Sequence, residues 1–354
     1  MNWLQRRIRP EQIRELSLLL LIIVAVTIFG SLIPNYYTSR TFDRIAESVT
    51  IIAIVGIGQT LVVLTRNIDL SVGSIVGFTA YFIGTLIASS HGINPFAAIL
   101  LAMAMGAAMG AINGVLVAWA RVPSIIVTLG TLAIYRGTLV DLSGARTVTS
   151  DSLPDWLLSL PRCNILTIGM VRIGALFAIA LSMVVVFQIA TTYLRAGRCI
   201  YAIGSNPDAA VLIGLPFRRL VFLVFVISGA LSGLSGFVTL ARFGNVTVEA
   251  GRGLELEVVA AVVVGGVNIF GGSGTVVGAM LGAVMLGILE QSLLRLQISE
   301  FWRDALLGLL ILLAVASDAV ILRRLRALWG HAELKSATET VSAVSRTERG
   351  VTNQ

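Results

Sequence analysis

Thr65-Arg66-Asn67-Ile68-Asp69-Leu70-Ser71-Val72-Gly73-Ser74 is a polar break between two apolar runs, and its outline returns as Arg252-Gly253-Leu254-Glu255-Leu256-Glu257-Val258. Each segment follows one apolar run and opens another, and each sets a carboxylate at the positive end of the coming helix dipole. A second echo follows in the same order, Gly106-Ala107-Ala108-Met109-Gly110-Ala111 and Gly278-Ala279-Met280-Leu281-Gly282-Ala283. Counting apolar runs between the breaks puts Asp69 and Glu255 on opposite sides of a membrane. The chain therefore reads as two halves of inverted topology, a pattern common in transporters.

Outward from these breaks the chain is strongly apolar. Its 354 residues are 56% hydrophobic and only 13% charged, with a mean hydropathy of +0.91, which is more apolar surface than one soluble core buries. About ten runs are predicted to span a hydrocarbon layer about 30 Å thick: 16–33, 49–64, 70–88, 95–120, 123–142, 173–194, 220–240, 256–269, 275–294 and 305–322. Runs 49–64 and 256–269 are short for a full crossing and leave room for tilted, broken or re-entrant segments. The fold class is thus an all-α polytopic membrane protein. Residues 1–15 are expected to be a cytoplasmic N-terminal segment, 16–325 the transmembrane domain, and 326–354 a polar, disordered cytoplasmic tail. Arg6, Arg7, Arg9 and Arg14 precede a run longer than a signal-peptide core, with no small-x-small cleavage site after it, so the first span is expected to remain uncleaved. With both termini cytoplasmic, Arg66, Arg121, Arg195, Arg198, Arg218, Arg219, Arg323, Arg324 and Arg326 join those four on the inside.

The same composition excludes several chemistries. The net charge is +7, but the arginines are scattered singly and form no nucleic-acid stripe. Lys335 is the only lysine and follows Leu334 where a nucleotide-binding loop requires glycine, so the chain is not itself a P-loop ATPase. His91 and His331 are far apart and suggest no metal site, and no nucleophile elbow stands out, so no catalytic residue and no cofactor are assigned to this chain. Cys163 and Cys199 fall on opposite sides in this topology and do not pair.

The candidate functional residues are polar groups that lipid cannot satisfy. Asn67, Asp69 and Ser71 are candidate caps for the following helix, or parts of a hinge that moves in gating. Gln59, Asn113, Arg136 and Asn268 are placed within spans and should face other helices or a wet cavity. Arg136 either lines protein or water, or snorkels toward Asp141 one turn away. Glycine pairs such as Gly106/Gly110, Gly229/Gly233 and Gly278/Gly282 suit close helix packing, whereas the crowded glycines of 265–274 favour a turn. In the largest inner loop, 195–219, Asn206 caps a short predicted helix, Pro207 and Asp208 open it, and Gly214 stops it. Such a helix spans nothing and is free to dock in a partner's groove.

Asn67-Ile68-Asp69-Leu70-Ser71-Val72-Gly73-Ser74, Thr128-Leu129-Gly130-Thr131, Gly204-x-Asn206-x-x-Ala209-Ala210 with Gly214, and Gly271-Gly272-Ser273-Gly274 together resemble the permeases of bacterial carbohydrate-type ABC importers, the ribose, arabinose and xylose group. The likeness covers about residues 16 to 325. It implies a fold similar to the vitamin-B12-type importers, with about ten helices in two inverted halves. It also implies a second permease subunit, identical or paralogous, two ATPase subunits or one fused ATPase carrying ATP and Mg, and a periplasmic solute-binding protein. Gly204, Asn206, Pro207, Asp208, Ala209, Ala210 and Gly214 then match the helix that couples to the ATPase. Asn67, Asp69, Ser71, Asn113, Arg136, Glu255 and Asn268 are the candidates for the path or its gate. Within the group, Thr65 to Asp69, Asn113 to Trp119, Tyr135-Arg136-Gly137 and Gly251 to Glu255 look closest to permeases of autoinducer-2 importers, with ribose- and rhamnose-type permeases as alternatives. The rival outside the group is an ion-coupled transporter using Asp69, Glu255 or Glu290.

Overall fold

The structure is a computed structural model that describes residues 10–90, 92–168, 171–299, 302, 305–306, 308–309 and 312. Apart from Leu309 and Leu312, which belong to a second unit, Leu309–Gln354, the described residues lie in one unit, Met1–Gly308. In chain order that unit contains helices α1 (Pro10–Leu32), α2 (Ser39–Leu64), α3 (Val72–Ser89), α4 (Pro95–Ala118), α5 (Ser124–Ser143) and the short α6 (Asp155–Ser159). An antiparallel hairpin follows, β1 (Asn164–Ile168) and β2 (Val171–Gly174). The remaining helices are α7 (Ala175–Tyr193), α8 (Arg195–Ser205), α9 (Pro207–Leu212), α10 (Phe217–Phe243), α11 (Leu254–Val264) and α12 (Val276–Arg295).

Among the described residues, 8 helices are long and apolar enough to cross a membrane: α1 from Arg14 onward, α2, α3, α4, α5, α7, α10 and α12. The expectation of about ten is corrected at run 256–269. There α11 has only 11 residues, about 16 Å of helix, because Gly265 and Gly266 turn the chain, the latter at φ +90°. Run 305–322 lies for the most part outside the described residues. Run 49–64 errs the other way, since α2 is 26 residues long and starts at Ser39, capped by the Thr38 hydroxyl on the Thr41 amide. Its first turns carry Arg40, Asp43, Arg44 and Glu47, which an apolar count passes over. At the N-terminus α1 takes in residues 10–15, with Pro10 in its first turn. Run 173–194 opens as strand, and α7 begins only at Ala175.

The core is built around α2 and α10. α10 presents Ser228-Gly229, Ser232-Gly233 and Ser235-Gly236 to its neighbours, and all six residues are buried. Gly106 and Gly110 of α4 pack on Gly229 and Gly233 with backbone against backbone, so that a Cβ added at Gly110 would sit 3.0 Å from the Gly229 Cα. Lipid offers no hydrophobic drive for helix association, so close approach of this kind supplies the van der Waals contact that holds the pair. The second glycine pair behaves alike: a Cβ at Gly282 of α12 would lie 2.8 Å from the Gly265 nitrogen at the end of α11. The expected turn at 265–274 is present, with Gly266, Gly271, Gly272 and Gly274 all at positive φ. Helices α1, α4, α5 and α7 leave apolar side chains such as Leu20, Leu100, Ile126 and Val186 exposed, a surface that suits lipid or a second membrane subunit.

Candidate functional site

α2 stops at Leu64, and Arg66, in the left-handed region at φ +63°, turns the chain back along it. Residues 65–71 make no helical ladder, so their backbone groups need other partners inside the bundle. The Gln59 side-chain amide supplies two, donating to the Asp69 carbonyl at 3.0 Å and accepting from the Asp69 N–H at 3.3 Å. From α5, Ser124 Oγ accepts the Ile68 N–H at 3.2 Å and Thr128 Oγ1 donates to the Ile68 carbonyl at 3.3 Å. Irregular backbone is thereby held between α2 and α5.

A polar chain is built on that segment. Asp69 is fully buried, and its Oδ1 accepts from the Ser71 N–H at 3.0 Å and from the Ser71 hydroxyl at 2.7 Å. Its Oδ2 accepts from the Ser228 hydroxyl of α10 at 3.2 Å. Asn113 of α4, also fully buried, donates through Nδ2 to Ser71 Oγ at 2.8 Å, while its Oδ1 has no hydrogen-bond partner. The break, α4 and α10 are tied together by this chain. The capping expectation changes in form, because the N-terminus of α3 at Ser71 has no side-chain cap. Asp69 instead closes a turn onto Ser71, and Asn67 bonds Thr65.

The second break, residues 244–253, abuts the start of α3. Gly73 and Gly77 lie against the carbonyls of Gly251 and Ala250, with no room for a Cβ at either glycine. Arg136 of α5 settles into this loop, donating through Nη1 to the Val248 carbonyl at 2.8 Å and the Ala250 carbonyl at 2.7 Å. Of the two orientations open from sequence, it takes the one turned into protein, away from Asp141. Glu255, in the first turn of α11, packs on Gly73, and its Oε2 is buried without a hydrogen-bond partner. At the exposed rim, Arg252 Nη1 donates to Glu249 Oε2 at 2.6 Å and holds that carboxyl below its ordinary range. Two helix N-termini, of α3 and α11, therefore meet beside Asp69, Arg136 and Glu255, a polar centre between the breaks.

The remaining candidates divide. Asn67 lines a cavity of about 720 Å³ together with Arg121, Ser124, Pro207 and Asp208, which places it beside α9. Asn268 lies in the α11–α12 turn and not within a span, where its Oδ1 accepts the Phe270 N–H at 2.9 Å. Ser228 was not singled out from sequence, although the spacing of Ser228, Ser232 and Ser235 along one helix carried the signal.

At one end of the bundle, α9 forms as expected. Asn206 Oδ1 accepts the Ala209 N–H at 3.0 Å, Pro207 and Asp208 occupy the first turn, and Gly214 leaves the helix at φ +80°. Ala210 is buried, whereas Val211, Leu212 and Ile213 are exposed, Leu212 at 86%. Gly204 belongs to the end of α8 and not to an open loop, and it packs on the Leu64 carbonyl and Gly272. Arg66 then joins the two regions, its Nε donating to the Gly204 carbonyl at 2.6 Å and its Nη2 to the Ser205 carbonyl at 2.8 Å. A cation on the last carbonyls of a helix also suits the helix dipole.

Apolar crossing helices, two backbone breaks with a buried polar centre, and an exposed short helix mechanically tied to one break define a multi-pass membrane permease. The family model described as "Branched-chain amino acid transport system / permease component" matches residues 41–315, and the chain belongs to this family as the permease subunit of an ABC importer. The autoinducer 2 import system permease protein LsrC of Yersinia pseudotuberculosis serotype O:1b (strain IP 31758) is 36% identical over 305 residues, covering 86% of this chain and 84% of that protein. The protein of the same description from Yersinia pestis (strain Pestoides F) aligns with the same identity and coverage. No solved structure matches the chain.

Proposed function

We propose that this subunit forms half of the path by which an importer carries autoinducer 2 or a closely similar sugar-like solute, and that a separate ATPase drives it through α9. ATP and Mg belong to that ATPase. A second permease, identical or paralogous, completes the path, and a periplasmic binding protein delivers the solute. Both termini and α8–α9 are cytoplasmic in this reading, as the arginine bias supports. The two halves are inverted repeats of a vitamin-B12-type fold, which the matched packing of Gly106/Gly110 and Gly278/Gly282 supports. No covalent chemistry occurs in the chain. Closure of the ATPases pushes on α9, and the subunits rock between inward- and outward-facing states.

One observation carries this reading: an Asn206-capped helix with Val211, Leu212 and Ile213 exposed follows directly on α8, whose last carbonyls Arg66 bonds to the break that holds Asp69. The substrate class rests on the relatives that share 36% identity. In vesicles containing the permeases, ATPase and binding protein, Asp208→Lys is expected to lower both uptake and solute-stimulated ATP hydrolysis severalfold while insertion is unchanged, since it reverses the charge in the first turn of α9. Undiminished uptake of autoinducer 2 would overturn the coupling role.

A further inference from the structure

At the end of the bundle where α1 gives way to α2, a cavity of about 500 Å³ is lined by Arg40, Arg44 and Arg295, with Thr38, Asn35 and Gln291. No carboxylate lines it among the described residues. The nearby acidic groups face other surroundings. Asp43 and Glu47 line a separate cavity of about 300 Å³ with Arg162 and Arg172, Glu47 lies 3.8 Å from Arg242, and Glu290 faces that same arginine.

Arg295 is fixed in place, with Nη1 donating to Thr41 Oγ1 at 2.6 Å and Nη2 to the Pro34 carbonyl at 3.1 Å. Arg40 and Arg44 are exposed and have no ion-pair partner among the described residues. They stand four apart on one face of α2, where like charges repel, and they sit in its first turns, where the helix dipole is also positive. Both unfavourable terms are relieved by an anion in the cavity.

The setting names the kind of anion. Tyr37, exposed and packed edge to face on the buried Tyr36, follows Asn35 of the cavity wall and is an aromatic of the sort found at a membrane–water interface. α1, whose Leu20, Ile28 and Leu32 are exposed, ends just before Asn35 on the cavity wall. We propose that Arg40, Arg44 and Arg295 bind the phosphate of an anionic phospholipid whose acyl chains lie along α1. Arginine suits this ligand because its fork matches phosphate oxygens in pairs.

The test uses the whole importer in nanodiscs of phosphatidylcholine with or without phosphatidylglycerol, with lipid retained after detergent washing read by native mass spectrometry. The wild type is expected to retain phosphatidylglycerol in preference to phosphatidylcholine and to melt at a higher temperature in its presence. Arg40→Gln with Arg44→Gln should weaken that retention roughly 30-fold, the effect of removing two interfacial cations. Arg40→Lys with Arg44→Lys should keep most of it, which separates charge from folding. Equal retention by the Gln double variant overturns the proposal, and loss of binding-protein capture in that variant would then mark the patch as a protein-docking face. Inorganic phosphate that binds the wild type with the same arginine dependence, with no preference among lipids, overturns the lipid assignment in favour of the free ion.

Discussion

The Asp69 carboxylate has left water completely, and what offsets that loss is the set of donors aimed at it: the Ser71 N–H, the Ser71 hydroxyl and the Ser228 hydroxyl. Deleting the acceptor strands all three donors in a low-dielectric interior. Asp69→Ala is therefore expected to lower unfolding stability in detergent by about 3 kcal/mol, and Asp69→Asn, which keeps one acceptor oxygen, by clearly less. A denaturant titration that found the two variants equal would show that these donors find other partners. Asp69, Ser71 and Asn113 were legible in the sequence because polar side chains in an apolar context must be paired. Ser228 was not, because a serine within a helix satisfies itself on the carbonyl one turn back, as Ser232 does on Ser228 at 2.9 Å. The orientation of Arg136 was likewise undecidable locally, since it is set by carbonyls at Val248 and Ala250, more than a hundred positions along the chain.

At the scale of the helix, the same residue type serves opposite ends. Gly106 of α4 faces the Gly233 backbone, where an added Cβ would come within 2.8 Å of both the nitrogen and the Cα, whereas Gly130 and Gly137 of α5 have nothing within 4 Å of that position. Gly106→Val must push α4 off α10, costing about 1–3 kcal/mol as overpacking, with reduced folded yield by size-exclusion profile. Gly130→Ala and Gly137→Ala are expected to be neutral or to stabilise by up to about 1 kcal/mol through helix propensity. If all three variants behaved alike, the α4–α10 contact would not be the tight one described. The recurrence of glycine was plain from sequence, but which pairs touch depends on the helix that each one meets. Length misled for a related reason. The α11 run was counted among the spans although short for a full crossing, and Gly265 and Gly266 end it after 11 residues; the charged first turns of α2 concealed ten residues of continuous helix. Strands β1 and β2 lay almost wholly in the connection left between runs 123–142 and 173–194, though β-branched Ile165, Thr167, Val171 and Ile173 on alternate positions signalled strand.

For the molecule as a whole, the proposed coupling requires a connection between α9 and the buried polar centre, and three segments that meet at one end of the bundle supply one. The Gly272 N–H donates to the Leu64 carbonyl at 3.1 Å, the Tyr201 hydroxyl donates to the Gly274 carbonyl at 2.7 Å, and Arg66 clasps the last carbonyls of α8. A displacement of α8–α9 must therefore pull on residues 65–71, and through Asp69 and Ser71 on α4 and α10. Arg66 is a charged link in this junction, and its fork holds two carbonyls at once, a geometry that lysine does not reproduce. If the link transmits force, Arg66→Ala in the reconstituted importer should lower the amount of solute moved per ATP hydrolysed severalfold, with Arg66→Lys falling between it and the wild type. ATP hydrolysis itself should persist, because Arg66 bonds the Gly204 and Ser205 carbonyls and is not part of the exposed Val211-Leu212-Ile213 surface proposed to meet the ATPase. A merely structural role would instead lower uptake and hydrolysis together and leave their ratio unchanged, so the ratio decides between a mechanical coupling and a local brace.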